Sequence, residues 1–312
     1  MDQPLTQLTQ FTTDDAHELL PQWQLALRAE AKSPGTIDTY THGVCTYLTW
    51  CGLAGEPPLS RATMTAWMSD MLQAGAAPGS ARIRQLGVRR FVAWLIVTGH
   101  VPIDPFAGIK GPRQTQKLVT PLTDDELRTL IATCTTPSHR ADEPLHHRRD
   151  EAIIRLMFET GIRIGETIAL QVDDVDLDTG RVTIKRGKGG RGRVIPIGPA
   201  TGAVLRAYLT LRAHHRCADS PELWLGERGT RFGYDGLSRA LRRRAQLAGI
   251  TGFHPHKLRH TAAHRWLAAG GSESGLMAIA GWTRTDMLVR YTRAHASERA
   301  ADEARRLNLG AI

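Results

Sequence analysis

The sequence is short of cysteine, of long apolar runs and of acidic residues, and each shortage narrows what the protein can be. Four cysteines (Cys45, Cys51, Cys134, Cys217) are scattered over 312 residues without a CxxC pair or Cys/His metal spacing. A disulfide scaffold and a zinc module are therefore disfavoured, and free thiols in a reducing cytosol are expected. No apolar run reaches the ~18 residues that suggest a membrane span. The opening MDQPLTQLTQFTTDD has neither a basic segment nor an apolar core, so no signal peptide is expected. There is no GxxxxGK[ST] motif and no carboxylate cluster of the metal-binding kind, which argues against a P-loop enzyme or a metal-dependent nuclease. Acids are outnumbered, 31 Asp+Glu against 40 Lys+Arg, for a formal charge of +9. A surplus of that sign suits a polyanion, through phosphate neutralisation and counterion release. It is also uneven: residues 1–118 carry 10 Lys+Arg against 9 Asp+Glu, so nearly all of it lies in residues 119–312.

What is present reads as two domains of mainly α structure with a small antiparallel β-sheet. Residues 13–105 show four helical segments and no strand signal. The first spans 13–30, started by Thr13 or Asp14, with Leu19, Leu20, Trp23, Leu25 and Leu27 as apolar positions. Ser33 opens a second, which carries Tyr40, Val44, Tyr47 and Leu48 up to Trp50. Ser60 caps a third, through Leu72. Ser80 opens a fourth with the stripe Ile83, Leu86, Val88, Phe91, Leu95 and Ile96. Residues 106–120 complete a stretch rich in proline and glycine that reads as an interdomain linker. Its cations Lys110, Arg113 and Lys117 suit a strap along phosphates. A second domain, 121–295, restarts at the capping box Thr123-Asp-Asp-Glu126. A helix over 148–160 ends at Gly161. Residues 168–197 then supply three β-branched runs, LQVDDVDLDTG, RVTIKRG and RVIPIG, expected as a three-stranded meander. Helices resume from Ala200.

Four segments hold residues with chemical potential. In Gly252-Phe-His-Pro-His-Lys-Leu-Arg-His260, His256 and Arg259 share one face of an opening helix, whose N-terminus favours anions. In Glu159-Thr-Gly-Ile-Arg-Ile-Gly-Glu166, Arg163 sits between isoleucines and needs an anionic partner. That partner is either Glu166 or a phosphate, and the two are compatible if Glu166 orients Arg163. Residues 181–193 carry six cations and no acid (Arg181, Lys185, Arg186, Lys188, Arg191, Arg193), with Lys188 between glycines of a turn. This is either a solvated hairpin tip or an anion-binding one. In Gly281-Trp-Thr-Arg-Thr-Asp-Met-Leu-Val-Arg-Tyr-Thr292, Tyr291 follows Arg290 in a setting that by itself suggests only packing.

The order of these segments, Arg–Glu after Thr-Gly, Gly-Lys-Gly between strands, His-x-Leu-Arg-His at a helix start, Gly-Trp, then a tyrosine nine residues on, resembles the catalytic domain of tyrosine recombinases (phage integrases) over roughly residues 119–295. The helical residues 13–105 are similar to that family's SAM-like core-binding domain by pattern only, and the two domains together would form a C-shaped DNA clamp. The resemblance implies that Tyr291 attacks the scissile phosphate to leave a 3′-phosphotyrosyl bond. Arg163 and Arg259 would clamp the non-bridging oxygens, and Lys188 would protonate the departing 5′ oxygen. His256 would hydrogen-bond the phosphate or take the tyrosine proton. Trp282 stands where most members have a second histidine; an indole N–H donates but does not shuttle protons. Glu166 and His260 match supporting positions. Two arginines give planar contacts a lysine would not, and the fixed cations would do the electrostatic work of a metal. Covalent catalysis conserves the phosphodiester energy, so no ATP, metal or cofactor is expected.

The implied partners are double-stranded DNA core sites with inverted repeats and, on two such sites, a homotetramer that is monomeric or weakly associated when free. The implied location is the bacterial cytoplasm, at the nucleoid. The short segment before the first helix suggests an enzyme without an arm-binding domain, acting on simple core sites. Residues 296–312 read as a tail helix exchanged between protomers. Candidates for DNA contact are Arg82, Arg84, Arg89, Lys110, Arg113, Arg186, Arg191, Arg239, Arg242 and Arg243, with Arg244 on the same helical segment; phosphate contact is the commoner use of such residues. A type IB topoisomerase shares the Arg, Lys, His and Tyr logic, and a non-catalytic DNA-binding relative would share the charge.

Overall fold

The computed structural model describes residues 8, 10–113, 120–134, 144–185, 192–226, 232–282 and 305–306. The chain divides into two compact units, Met1–Gln116 and Lys117–Ile312.

In the first unit, residues 13–97 form four helices, α1 (Thr13–Ala29), α2 (Pro34–Ala54), α3 (Arg61–Gln73) and α4 (Pro78–Val97). Their starts follow side-chain chemistry. Thr12, one residue before the expected cap, accepts from Asp15 N while the Asp15 carboxylate accepts from Thr12 N. Ser33 and Ser60 cap α2 and α3. α4 begins at Pro78, not Ser80, because proline in a first turn needs no hydrogen-bond acceptor and brings a helical φ. Trp23 stacks obliquely on Phe91 at 5.1 Å and Tyr47 on Trp67 at 4.9 Å, making the centre of the core. The buried stripe of α4 is Ala81, Gln85, Val88, Phe91, Val92 and Leu95, so the expected Ile83 and Leu86 lie on its outer side, as does Leu25 on α1. α2 and α4 approach through two glycines. A Cβ on Gly43 would lie 2.8 Å from Arg84 O, and one on Gly87 2.6 Å from Tyr40 O. Packing runs past residue 105: Phe106 is fully buried, edge-on to Tyr47, and Ile109 O accepts from Arg89 Nη1 at 3.2 Å. The first residues of the expected linker thus belong to this core.

The second unit contains α5 (Asp124–Ala132), α6 (Leu145–Thr160), α7 (Ile164–Ile168), β1 (Val175–Asp176), β2 (Arg181–Ile184), β3 (Arg193–Pro196), α8 (Pro199–Ala213), α9 (Tyr234–Leu247), α10 (His256–Ala268) and α11 (Glu273–Ala280). The capping box of α5 forms as the sequence suggests. α6 starts at Leu145, behind Pro144, rather than at 148. It is the central helix, with Ile153, Ile154, Leu156 and Met157 almost inaccessible to solvent. The sheet is an antiparallel meander in the order β1-β2-β3, with Val182 facing Val175 on one side and Ile195 on the other. Its first strand is much shorter than expected. Asp174 accepts from Gln171 N at 2.9 Å and winds Val172–Asp174 into a 3₁₀ turn, leaving two residues to pair. A buried charge network braces α6: Asp150 takes Arg149 at 2.8 Å and Arg244 of α9 at 3.0 Å. Those arginines also donate to Leu225 O and Thr133 O.

Candidate active site

Three segments distant in sequence converge at the C-terminal end of α11. That helix closes on Gly281, whose left-handed φ of 63° lets Trp282 N–H return to Met277 O at 2.9 Å. The last carbonyls of a helix lack acceptable partners within it and carry the negative end of its dipole. Here three consecutive ones each accept from a different arginine: Ile279 O from Arg193 Nε at 2.7 Å, Ala280 O from Arg259 Nη2 at 2.8 Å, and Gly281 O from Arg163 Nη2 at 3.2 Å.

Each arginine is delivered by a local feature. Arg163 is the N-cap of α7, two residues after the left-handed Gly161 that ends α6. Glu166, in the first turn of α7, accepts from Arg163 N and Arg163 Nη1, both at 3.0 Å. The partner proposed from the i,i+3 spacing is therefore the one found. Arg193 opens β3 and binds the same carboxylate with both Nη atoms, at 3.0 and 2.8 Å. Burial alone would raise the Glu166 pKa; the hydrogen bonds and charges of Arg193 and Arg163 outweigh it and hold the carboxyl below its ordinary value. Arg259, on the first turn of α10, is 1% exposed. Its Nη1 donates to Gly161 O, and its guanidinium lies 5.2 Å from the centre of the Trp282 ring.

Trp282 is buried with Ala263, Leu267, Leu276 and Ala280, an apolar site beneath Arg259. His256, exposed at the start of α10, meets the half-buried His260 edge-to-face at 4.9 Å, and His254 lies 6.4 Å from His260 on another side. Burial, then Lys257 and Arg242, push the His254 pKa below its usual value. Among the described residues no group of three or more His, Cys, Asp or Glu side chains could hold a metal ion.

The structure thus brings Arg163, Glu166, Arg259 and Trp282 together, with His256 and His260 on the same helix as Arg259. Lys188, Arg186, Arg191 and Tyr291 lie outside the described residues, as does most of 296–312. Of the candidates for DNA contact, Arg82, Lys110, Arg113, Arg239, Arg242 and Arg243 are exposed. Arg89 is half-buried on Ile109 O, and Arg84 is half-buried with Nη1 3.7 Å from Met71 Sδ. Arg244 is corrected: 6% exposed and locked on Asp150, it belongs to the core. Two hairpin cations have partners within the unit. Lys185, though exposed, pairs with Asp174 at 2.8 Å, and Arg193, counted only as one more hairpin charge, is a mostly buried member of the arginine cluster. Its one sequence signal was position, as the first residue of a strand directly after a glycine turn.

Comparison with known proteins agrees with this geometry. Residues 121–298 match the phage integrase family. The tyrosine recombinase XerC of Chromohalobacter salexigens is 30% identical over 284 residues, which is 88% of this chain and 92% of that one. XerH in a post-cleavage complex with palindromic difH has the same fold, with a TM-score of 0.72 at 16% identity over 94% of this chain and 84% of XerH. So does lambda integrase in a tetramer bound to a Holliday junction, with a TM-score of 0.69 at 15% identity over 88% of this chain and 76% of that one. No described helix is long and apolar enough to cross a membrane. With its second unit matched along nearly all its length, and a relative at this identity aligned along most of both chains, the protein belongs to the phage integrase family of tyrosine recombinases.

Proposed function

We propose that the chain recombines double-stranded DNA at short core sites, with Tyr291 as nucleophile. The observation that carries this reading is the gathering of Arg163, Arg193 and Arg259 on the last carbonyls of α11, the first two also paired with Glu166, nine residues before Tyr291 reckoned from Trp282. Such a cluster keeps a surplus of positive charge in a partly desolvated place, which is what a pentacovalent phosphate requires.

The Tyr291 oxygen attacks phosphorus, a new P–O bond forms, and the bond to the 5′ oxygen breaks. His256 takes the phenolic proton, and Lys188 gives a proton to the departing 5′ oxygen, which leaves as a hydroxyl. Arg163, a quarter exposed, presents its guanidinium to a non-bridging oxygen. Arg259, anchored on Gly161 O and Ala280 O, supplies the second guanidinium for the phosphate. Trp282 holds the Arg259 plane; its indole N–H is a donor without a proton to exchange. Reversal by the 5′ hydroxyl of a partner strand rejoins the DNA without ATP. We further propose a tetramer on two inverted-repeat sites, a helical domain from 13 that takes in Phe106 and Ile109, a catalytic domain over 121–295, a protomer-exchanged tail over 296–312, and action on nucleoid DNA in the cytoplasm.

The test begins by selecting, from random-sequence duplexes, the site the full chain binds most tightly. A nicked suicide duplex carrying that site should yield a covalent adduct mapped to Tyr291. Tyr291→Phe should bind the same duplex and form none. Strand cleavage retained in that variant would overturn the assignment. Supercoil relaxation without two-site recombination would favour a topoisomerase instead.

A further inference from the structure

We propose that Arg193 is a positioning residue for strand cleavage, an inference that rests on the function just proposed. Like Arg163 it touches both the carboxylate and the end of α11, but among the described residues its guanidinium alone takes both oxygens of Glu166. Through Nη1 and Nη2 it grips Glu166 at 3.0 and 2.8 Å, and through Nε it grips Ile279 O at 2.7 Å. Its side chain is 12% exposed, about half the exposure of Arg163, so it is a support and not the group that meets DNA.

The two contacts have distinct consequences. By occupying both oxygens of Glu166, Arg193 limits Arg163 to one side-chain bond with that carboxylate. Without it, both oxygens become available, and Arg163 can turn into a two-pronged pair with Glu166. That pairing would swing Arg163 away from Gly281 O and spend its charge on a carboxylate instead of a phosphate. By holding Ile279 O, Arg193 also ties β3 to the end of α11, from which Arg163 and Arg259 take their own acceptors. Gly281 is shaped for this guanidinium: a Cβ there would fall 2.8 Å from Arg193 Nη1 and 2.9 Å from its Cζ.

The experiment uses the full chain and the nicked duplex with the selected site, made once with an ordinary scissile phosphate and once with a neutral methylphosphonate there. Arg193→Gln should bind the duplex with unchanged affinity yet form the Tyr291 adduct roughly 10²-fold more slowly, the scale of loss for a misplaced catalytic group. On the methylphosphonate, which asks for no charge clamp, the deficit should vanish. Combined with Arg163→Ala, it should add nothing further, because the two share one effect. Arg193→Lys keeps a charge on Glu166 and so the fold, but it lacks the fork to hold Ile279 O as well, and should recover part of the rate. An unchanged rate in Arg193→Gln, losses that add to those of Arg163→Ala, or equal deficits on both substrates would each overturn the inference. No adduct from the unaltered chain would instead overturn the recombinase reading, and this inference with it.

Discussion

Glu166 accepts four hydrogen bonds from two arginines in a buried setting, so its charge matters to stability as well as to the site. Its carboxyl is held below the ordinary glutamate value of about 4.3. The sign follows from linkage: the stability it contributes is present above the unfolded value and is lost as pH falls through the lower folded one. Glu166→Gln should therefore melt below the parent at neutral pH, and the gap should narrow as pH falls from about 6 toward about 3. A gap that stays constant over that range would show that the ion pair is not its source. Arg244→Ala separates two readings of a basic helix. Removing one partner of the buried Asp150 network should cost about 3–5 kcal/mol in urea unfolding while leaving DNA affinity per folded molecule unchanged. A selective loss of affinity would return Arg244 to the DNA interface. The contrast between Arg163 and Arg193 shows what was legible at this scale. The Arg163 partner lies three residues away and could be read from spacing. The same carboxylate is 27 residues from Arg193, and the meander read from the turns does not tell which helix the start of its last strand meets.

At the scale of elements, the apolar periodicity and the capping residues gave away most of the helices, because both are local physics. Ser33, Ser60 and the Thr123–Glu126 box start their helices where the sequence says they should. What the pattern hid was which apolar positions face inward. Ile83 and Leu86 have the right residue type, but the face of α4 that meets α2 is the one on which Gly87 lies against Tyr40 and Arg84 against Gly43, where the backbones approach closely. Gly87→Ala should force α2 and α4 apart and cost about 1–3 kcal/mol, as overpacking does. The urea midpoint should fall with the slope unchanged. A midpoint equal to that of the parent would show that the crossing is not tight. The first strand was shortened for a related reason: the Asp174 carboxylate offers Gln171 N an alternative to sheet pairing, and a side chain competing with the backbone is invisible to alternation of apolar residues.

The whole chain pairs a nearly neutral first unit with a strongly basic second one, and nearly all the surplus charge lies after residue 118. Affinity for DNA should thus fall steeply with salt. Of the exposed cations on α9, each that touches a phosphate should lower the log–log slope by about 1 when replaced by glutamine. Unaltered slopes in Arg242→Gln and Arg243→Gln would remove α9 from the contact surface. The order of motifs revealed the family resemblance over roughly 119–295, and the family match covers 121–298; the first unit, with no motif, could be read only by its helical pattern. One consequence concerns how the protein is made. The carbonyls that hold the three arginines belong to residues 279–281, and Gly281 emerges 118 residues after Arg163. At about 5–20 residues per second, a ribosome takes roughly 6–24 s to cover that distance. During that interval the nascent chain gains Arg163, then Arg193, then Arg259, all before the helix end that assembles them, so the ability to cut DNA waits on the emergence of residues 279–281.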